Sequence, residues 1–194
     1  MHPYFRLAAL AARSLTSPRL GPLDEARLAM RVLPGDVELT RMNNGRYVTL
    51  MDLGRLDLTF RCGLLGSLVK NRWFPLVASL TTQFRRSLRI GQAYDLLTRL
   101  AAFDDKYWYI EQRFVAGGRV VAEAYLKGVF RGPKGNVRIP ELLAAAGHAG
   151  LTSPPLSDAF RAWLQSDEAM RRATGSVPGD AAEVPPRDLR GTAA

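Results

Sequence analysis

Between Asn44 and Phe130 the spacing of apolar residues changes from a helical period to a period of two. That change limits the fold more than any other feature of the chain. Tyr47, Met51, Gly54 and Leu58 recur at i, i+4, i+7 and i+11, which is one stripe of a helix. Asn43 and Asn44 stand in front of it as natural caps. A glycine at position 54 costs a helix about 1 kcal/mol relative to alanine, and close approach to a sheet is the gain that would offset it. Asp52 and Arg55 lie one turn apart and can pair on another face. From Val77 the pattern alternates: Ala78, Leu80, Thr82, Phe84 and Leu88 against Ser79, Thr81, Gln83, Arg85 and Ser87. Three strand-like runs follow, over residues 93–103, 106–115 and 119–130. Asp104-Asp105 and Gly117-Gly118 separate them, and both pairs suit tight hairpins. In the last run Val120, Ala122, Ala124, Leu126 and Phe130 face one way, and Glu123, Tyr125 and Lys127 the other. An earlier strand is expected over residues 26–33. One strand, a long helix and an antiparallel meander make an α+β class with the helix on one face of a sheet.

The flanks read differently. Residues 2–15 favour helix, with Arg6 and Arg13 on a shared face. Arg6 interrupts the segment, which is shorter than the ~20 apolar residues of a spanning helix, and no convincing leader cleavage site follows. It either docks on the domain or lies on a membrane surface. Short helices are expected over residues 140–146 and 157–172, the second with Phe160, Trp163 and Leu164 as its apolar side. The expected organisation is an N-terminal helical segment (1–22), a main domain (23–135), a helical extension (136–173) and a disordered tail (174–194).

Net charge is +9, and +6 of it falls between Arg61 and Arg99, where seven bases face one acid. Nucleic acid, an anionic membrane or a polyanionic small ligand would each suit such a surface. No RNA-binding signature, zinc finger or basic helix accompanies the arginines, so nucleic acid is not expected as a partner. Cys62 is the single cysteine, which excludes an intrachain disulfide and fits a reducing, cytoplasmic compartment. Cys62, His2 and His148 make no soft-ligand metal site of the usual kind.

Chemistry concentrates in the run from Arg31 to Asp52. A loop carries Asp36 and Glu38 just ahead of the asparagines that open the helix. A carboxylate there can attack a carbonyl or activate water, while N–H groups of the first turn stabilise the oxyanion. This run resembles the D-x-D…H-x-N-N-x-x-Y signature of hotdog-fold acyl-CoA thioesterases of the 4-hydroxybenzoyl-CoA thioesterase type. It is similar to the thioesterase superfamily member proteins and their bacterial relatives. The helix from Arg46 to Arg55 matches that family too. The segment Phe84-Arg-Arg-Ser-Leu-Arg-Ile-Gly91 resembles its F-x-R-P-L-x-x-G-D strand end. The resemblance covers about residues 28–130. Arg41 stands where the family commonly has histidine, the loop after Asp36 is one residue shorter, and Ser87 and Gln92 replace the proline and aspartate.

The resemblance implies a hotdog fold, an antiparallel sheet wrapped around a central helix. It implies an acyl-CoA substrate, with coenzyme A as part of that substrate and no separate cofactor. Glu38 falls on the family's second carboxylate, the nucleophile or base, and Asp36 on the first. Asn43, Asn44 and Tyr47 are the expected substrate-side residues of the helix. Arg85, Arg86 and Arg89 are candidates to grip the phosphates. Both histidines lie outside the matched region, which disfavours dehydratase chemistry. The alternative is an acyl-CoA- or lipid-binding hotdog protein without turnover, and a membrane-associated scaffold resting on residues 1–15 is a third. Two subunits joining their sheets edge to edge would form a homodimer or a higher oligomer, and the proline-free run Tyr94–Phe103 is the expected pairing edge. Tyr107, Trp108, Tyr109 and Tyr125 are candidates to shape the acyl tunnel.

Overall fold

The structure is a computed structural model, and it describes residues 6, 7, 10, 12–14 and 17–175. The chain divides into a compact unit spanning residues 1–157 and a second unit that begins at Asp158. In the first unit the strands are β1 (Ala26–Arg31), β2 (Val37–Glu38), β3 (Arg41–Met42), β4 (Phe74–Phe84), β5 (Ala93–Phe103), β6 (Trp108–Ala116), β7 (Arg119–Gly132) and β8 (Gly135–Val137). Its helices are α1 (Asn44–Arg61), α2 (Leu64–Asn71) and α3 (Ile139–Ala145). The second unit contributes α4 (Asp158–Ala173), where Phe160 and Trp163 meet edge to face with ring centroids 5.4 Å apart. The tail beyond residue 175 lies outside the described residues.

The main sheet is antiparallel, in the order β1-β5-β6-β7-β4, with β8 also on β7. Its curl around α1 is the α+β hotdog arrangement. The stripe Tyr47, Met51, Gly54 and Leu58 is buried as the period requires. Gly54 is what lets the helix descend onto the sheet. A Cβ there would lie 2.9 Å from Gln112 Nε2 and 3.0 Å from Leu96 Cδ2. The fully buried Gln112 uses that space, donating to Met51 O and Thr98 Oγ1, each at 2.9 Å, and accepting from Arg55 Nη1 at 2.7 Å. Asp52 pairs with the same arginine.

Two core clusters lie along α1. Tyr47, Leu50 and Met51 pack with Tyr94, Leu96 and Phe114 at its N-terminal half. Leu58 and Cys62 pack with Trp108, Ile110, Phe130 and α3 at its C-terminal half. The Gly117-Gly118 turn has both residues at positive φ (56° and 71°), as a two-residue hairpin joining right-twisted strands needs.

Three expectations need correction. The run Tyr94–Phe103 is not an edge: β5 lies between β1 and β6, and the outer strands are β1 and β4. Alternation alone carries no information about a strand's place in the order. The first strand ends at Arg31 instead of residue 33, because Pro34 begins a 3₁₀ turn ending at Asp36. Helix α2, which the apolar spacing did not announce, lies between Gly63 and Arg72, both at positive φ.

Candidate functional site

The loop between β1 and α1 folds as a small ribbon. Val37 pairs with Met42 and Glu38 with Arg41, and Leu39 and Thr40 make the turn. Leu39 sits at φ 58° and is 98% exposed, an unusual pairing of left-handed backbone with an open apolar side chain. The shortened loop is thus closed by a tight turn at the cost of local strain. Arg41 in turn bridges to Arg89, and Met42 N–H donates to Leu88 O at 2.9 Å. The strand end Phe84–Gly91 is therefore brought against the carboxylate loop.

The two carboxylates have opposite surroundings. Asp36 is 5% exposed. Arg6 of the N-terminal segment grips it with both terminal nitrogens, at 3.0 and 2.5 Å, and Leu33 N–H donates to it at 2.9 Å. Arg46 lies 3.8 Å away and also donates to Gly35 O at 2.8 Å, tying the 3₁₀ turn to the helix. Asp36 is thus surrounded by partners. Glu38 instead is exposed, and the side-chain amide of Asn43 donates to its Oε2 at 2.5 Å. The oxygen of that same amide caps Gly45 N–H at 2.8 Å. One asparagine both caps α1 and orients the free carboxylate. Glu38, Asn43, Gly45, Arg46 and Thr49 line an open groove of about 560 Å3 at the start of α1.

The remaining expected residues separate. Asn44 is exposed at the first position of α1. Tyr47 is a core residue: 1% exposed, with Leu88 N–H donating to its hydroxyl at 3.2 Å and its ring edge-on to Phe84 and Phe114. Burial raises its pKa. Arg89 stands beside the ribbon, whereas Arg85 is turned to Glu123. Arg86 is exposed, its N–H donating to Val121 O at 3.0 Å. The three arginines do not form one cluster. Of the four aromatic residues considered for a tunnel, Trp108 lines an apolar cavity beneath the C-terminal half of α1. Tyr109 instead donates to Asp104 at 2.7 Å, and Lys127 lies over Tyr107. Alternation along β6 puts Trp108 and its tyrosine neighbours on opposite faces. Cys62 is buried at the end of α1, and desolvation pushes its thiol up to about 12.

Arg6 and Arg46 were not singled out from the sequence. Arg46 carried a signal, since it sits inside the asparagine–tyrosine run. Arg6 carried none, because thirty residues separate it from Asp36. Among the described residues no helix is long and apolar enough to cross a membrane. Leu10 is buried in the N-terminal-half core, and Ser14 donates to Asp57 at 3.2 Å, so the described part of the N-terminal segment docks on the domain.

A curled antiparallel sheet around a capped helix, with a carboxylate loop at the helix start, defines the hotdog class of protein. The sequence model of the thioesterase-like superfamily matches residues 32–164, and the chain belongs to that superfamily. Protein THEM6 of Danio rerio is 29% identical over 167 residues, which span 82% of this chain and 80% of that one. A gentisyl-coenzyme A thioesterase structure is similar at TM-score 0.56 and 22% identity, over 61% of this chain and 99% of the other. A Staphylococcus aureus protein solved in complex with CoA is similar at TM-score 0.59 and 12% identity, over 73% and 92% of the two chains.

Proposed function

We propose that the protein is an acyl-CoA thioesterase in which Glu38 is the nucleophile or general base. The observation that carries this reading is the pair of bonds made by Asn43. Its amide holds Glu38 at the mouth of the groove and caps the helix whose N-terminus faces it. The thioester carbonyl would lie at the start of α1, where the Asn44 N–H and the helix dipole favour developing negative charge, the Gly45 and Arg46 N–H groups being already bonded to Asn43. Glu38 either takes a proton from a water that attacks that carbon, or attacks it directly to give an acyl–glutamyl anhydride that water then hydrolyses; in both cases the C–S bond breaks, the thiolate of coenzyme A leaves and is protonated, and the free acid is released. Asp36 acts through the loop: clamped by Arg6 and Arg46, it holds the ribbon that presents Glu38. Asn44 borders the carbonyl from the first turn, and Tyr47 supports the helix from below. Arg41 lies directly opposite Glu38, and Arg89 one strand further; both suit the phosphates of coenzyme A. Arg85 and Arg86 are more distant candidates at the same strand end.

The unit acts as a homodimer in this reading. Edge strand β4 exposes Phe74, Val77 and Phe84 and offers an unpaired backbone row to a second copy. The test is release of free thiol from a panel of aliphatic and aromatic acyl-CoAs. Turnover of at least one supports the reading. Binding of acyl-CoA with no thiol released from any would refute it and leave a carrier.

A further inference from the structure

One end of the main sheet carries the carboxylate loop, and the pairing of the strands collects arginines there. Arg31 of β1 is opposite Ala93 of β5, Ala116 of β6 opposite Arg119 of β7, and Phe84 of β4 opposite Ala122 of β7. Beyond β4 the chain returns through Arg86, whose N–H donates to Val121 O, to Arg89, which bridges to Arg41. Arg31, Arg41, Arg86, Arg89 and Arg119 therefore share this end, and all five are exposed.

The neighbouring carboxylates do not cancel that charge. Glu123 is held by Arg85, and Asp36 by Arg6 and Arg46. Arg31 donates to a backbone oxygen, Gly91 O. Arg41, Arg86, Arg89 and Arg119 form no ion pair among the described residues. Glu38 is the exposed carboxylate of the loop, so five arginines stand against one acid, a surplus of four.

Two apolar side chains protrude among these arginines. Leu39 is 98% exposed and Ile90 52%. Because Arg41 pairs with Arg89 in antiparallel sense, the Leu39-Thr40 turn lies beside Ile90 and Gly91. A lone exposed leucine needs no explanation. Here two apolar residues sit on neighbouring turns inside a ring of cations, and Leu39 holds a left-handed backbone that costs stability with no packing in return. A polyanion in solution would answer the arginines and leave both apolar side chains in water. A bilayer leaflet answers both, since its phosphates lie just outside its hydrocarbon.

We propose that this end of the sheet docks on an anionic phospholipid surface, with Leu39 and Ile90 entering the headgroup layer and the five arginines against the lipid phosphates. Glu38 directly precedes Leu39, so docking brings the groove at the start of α1 to the lipid face. The proposal goes beyond the thioesterase reading and does not depend on it. Leu39, Ile90 and Arg119 lie outside the assignments made for coenzyme A, so variants there read the docking alone.

The test is flotation of the full-length protein with vesicles of phosphatidylcholine alone, and of phosphatidylcholine with about one-third phosphatidylglycerol. Wild type should bind the anionic vesicles at least about tenfold more tightly than the neutral ones, and ~1 M salt should abolish the difference. Leu39→Ser should weaken binding at least about tenfold, Ile90→Ser severalfold, and Arg119→Gln about fivefold, with unchanged circular dichroism. Leu39→Trp provides a second readout: lipids brominated on their chains should quench the introduced indole on anionic vesicles beyond any quenching of wild type. Equal binding to both vesicles, indifference to Leu39→Ser and Arg119→Gln together, or no added quenching in Leu39→Trp would overturn the proposal. So would binding of polyglutamate or a single-stranded oligonucleotide as tightly as anionic vesicles and independently of Leu39, which would assign the arginines to a soluble polyanion. No acyl-CoA enters these measurements, so their outcome is separate from that of the hydrolysis assay.

Discussion

Replacing Arg6 with alanine should destabilise the protein far more than its place near the chain start suggests. The side chains of Arg6 and Asp36 are only 16% and 6% exposed. Removing one partner of a buried ion pair typically costs about 3–5 kcal/mol, because the other charge is left in a poorly solvating site. Here Asp36 would keep the Leu33 N–H bond and the more distant Arg46. The expected loss is therefore at or below the low end of that range, about 2–3 kcal/mol, against a total stability of ~5–15 kcal/mol. Arg6→Lys should recover part of it, since a point charge cannot reproduce a two-nitrogen grip. Denaturant unfolding of Arg6→Ala, Asp36→Asn and the double mutant measures the coupling directly. A coupling above about 1.5 kcal/mol is predicted. A loss under about 0.5 kcal/mol for Arg6→Ala, or strict additivity, would show that the latch is not formed in solution.

Other outcomes follow from single features. Leu39→Gly should raise stability by up to about 1 kcal/mol in thermal unfolding, because leucine is strained at φ 58°; a loss would mean that the turn is not left-handed there. Burial raises the Cys62 thiol from 9.0 to about 12, so the folded state holds a proton that the unfolded chain releases. Stability should thus fall as pH rises through that interval, and Cys62→Ala should flatten the decline; an identical slope in the variant would contradict the burial. Sedimentation at micromolar concentration should give about twice the 21.4 kDa chain mass, and Phe74→Glu on β4 should reduce it to one chain; a monomeric but active wild type would remove the dimer.

Much of the fold was legible because long periodic segments report their buried face. The stripe of α1, the β5–β7 meander and the glycine turn all follow from spacing. Gly54 was legible as a close approach, though not as the slot for Gln112. The β2–β3 ribbon and α2 were not, since segments of two to eight residues are too short for a period to emerge. Strand order was hidden as well, because alternation looks the same in β5 at the interior as in β4 at the edge. At the site, Asn43 was readable as a cap, but its second bond to Glu38 depends on the ribbon returning the chain within reach. The Arg6 clamp depends on a contact between remote segments, and no local pattern encodes it. The separation of Arg85 from Arg89 arises because Arg85 finds Glu123 across β4 and β7.

Glu38 carries the proposed catalysis, and one comparison tests that role most directly: pre-steady-state and steady-state thiol release by wild type and Glu38→Gln on the same acyl-CoA, with folding checked by circular dichroism. The amide keeps the shape and the contact with Asn43 but removes the base and nucleophile. A fall of at least about a hundredfold in kcat, with KM little changed, is the predicted result. Undiminished turnover by Glu38→Gln would contradict the mechanism.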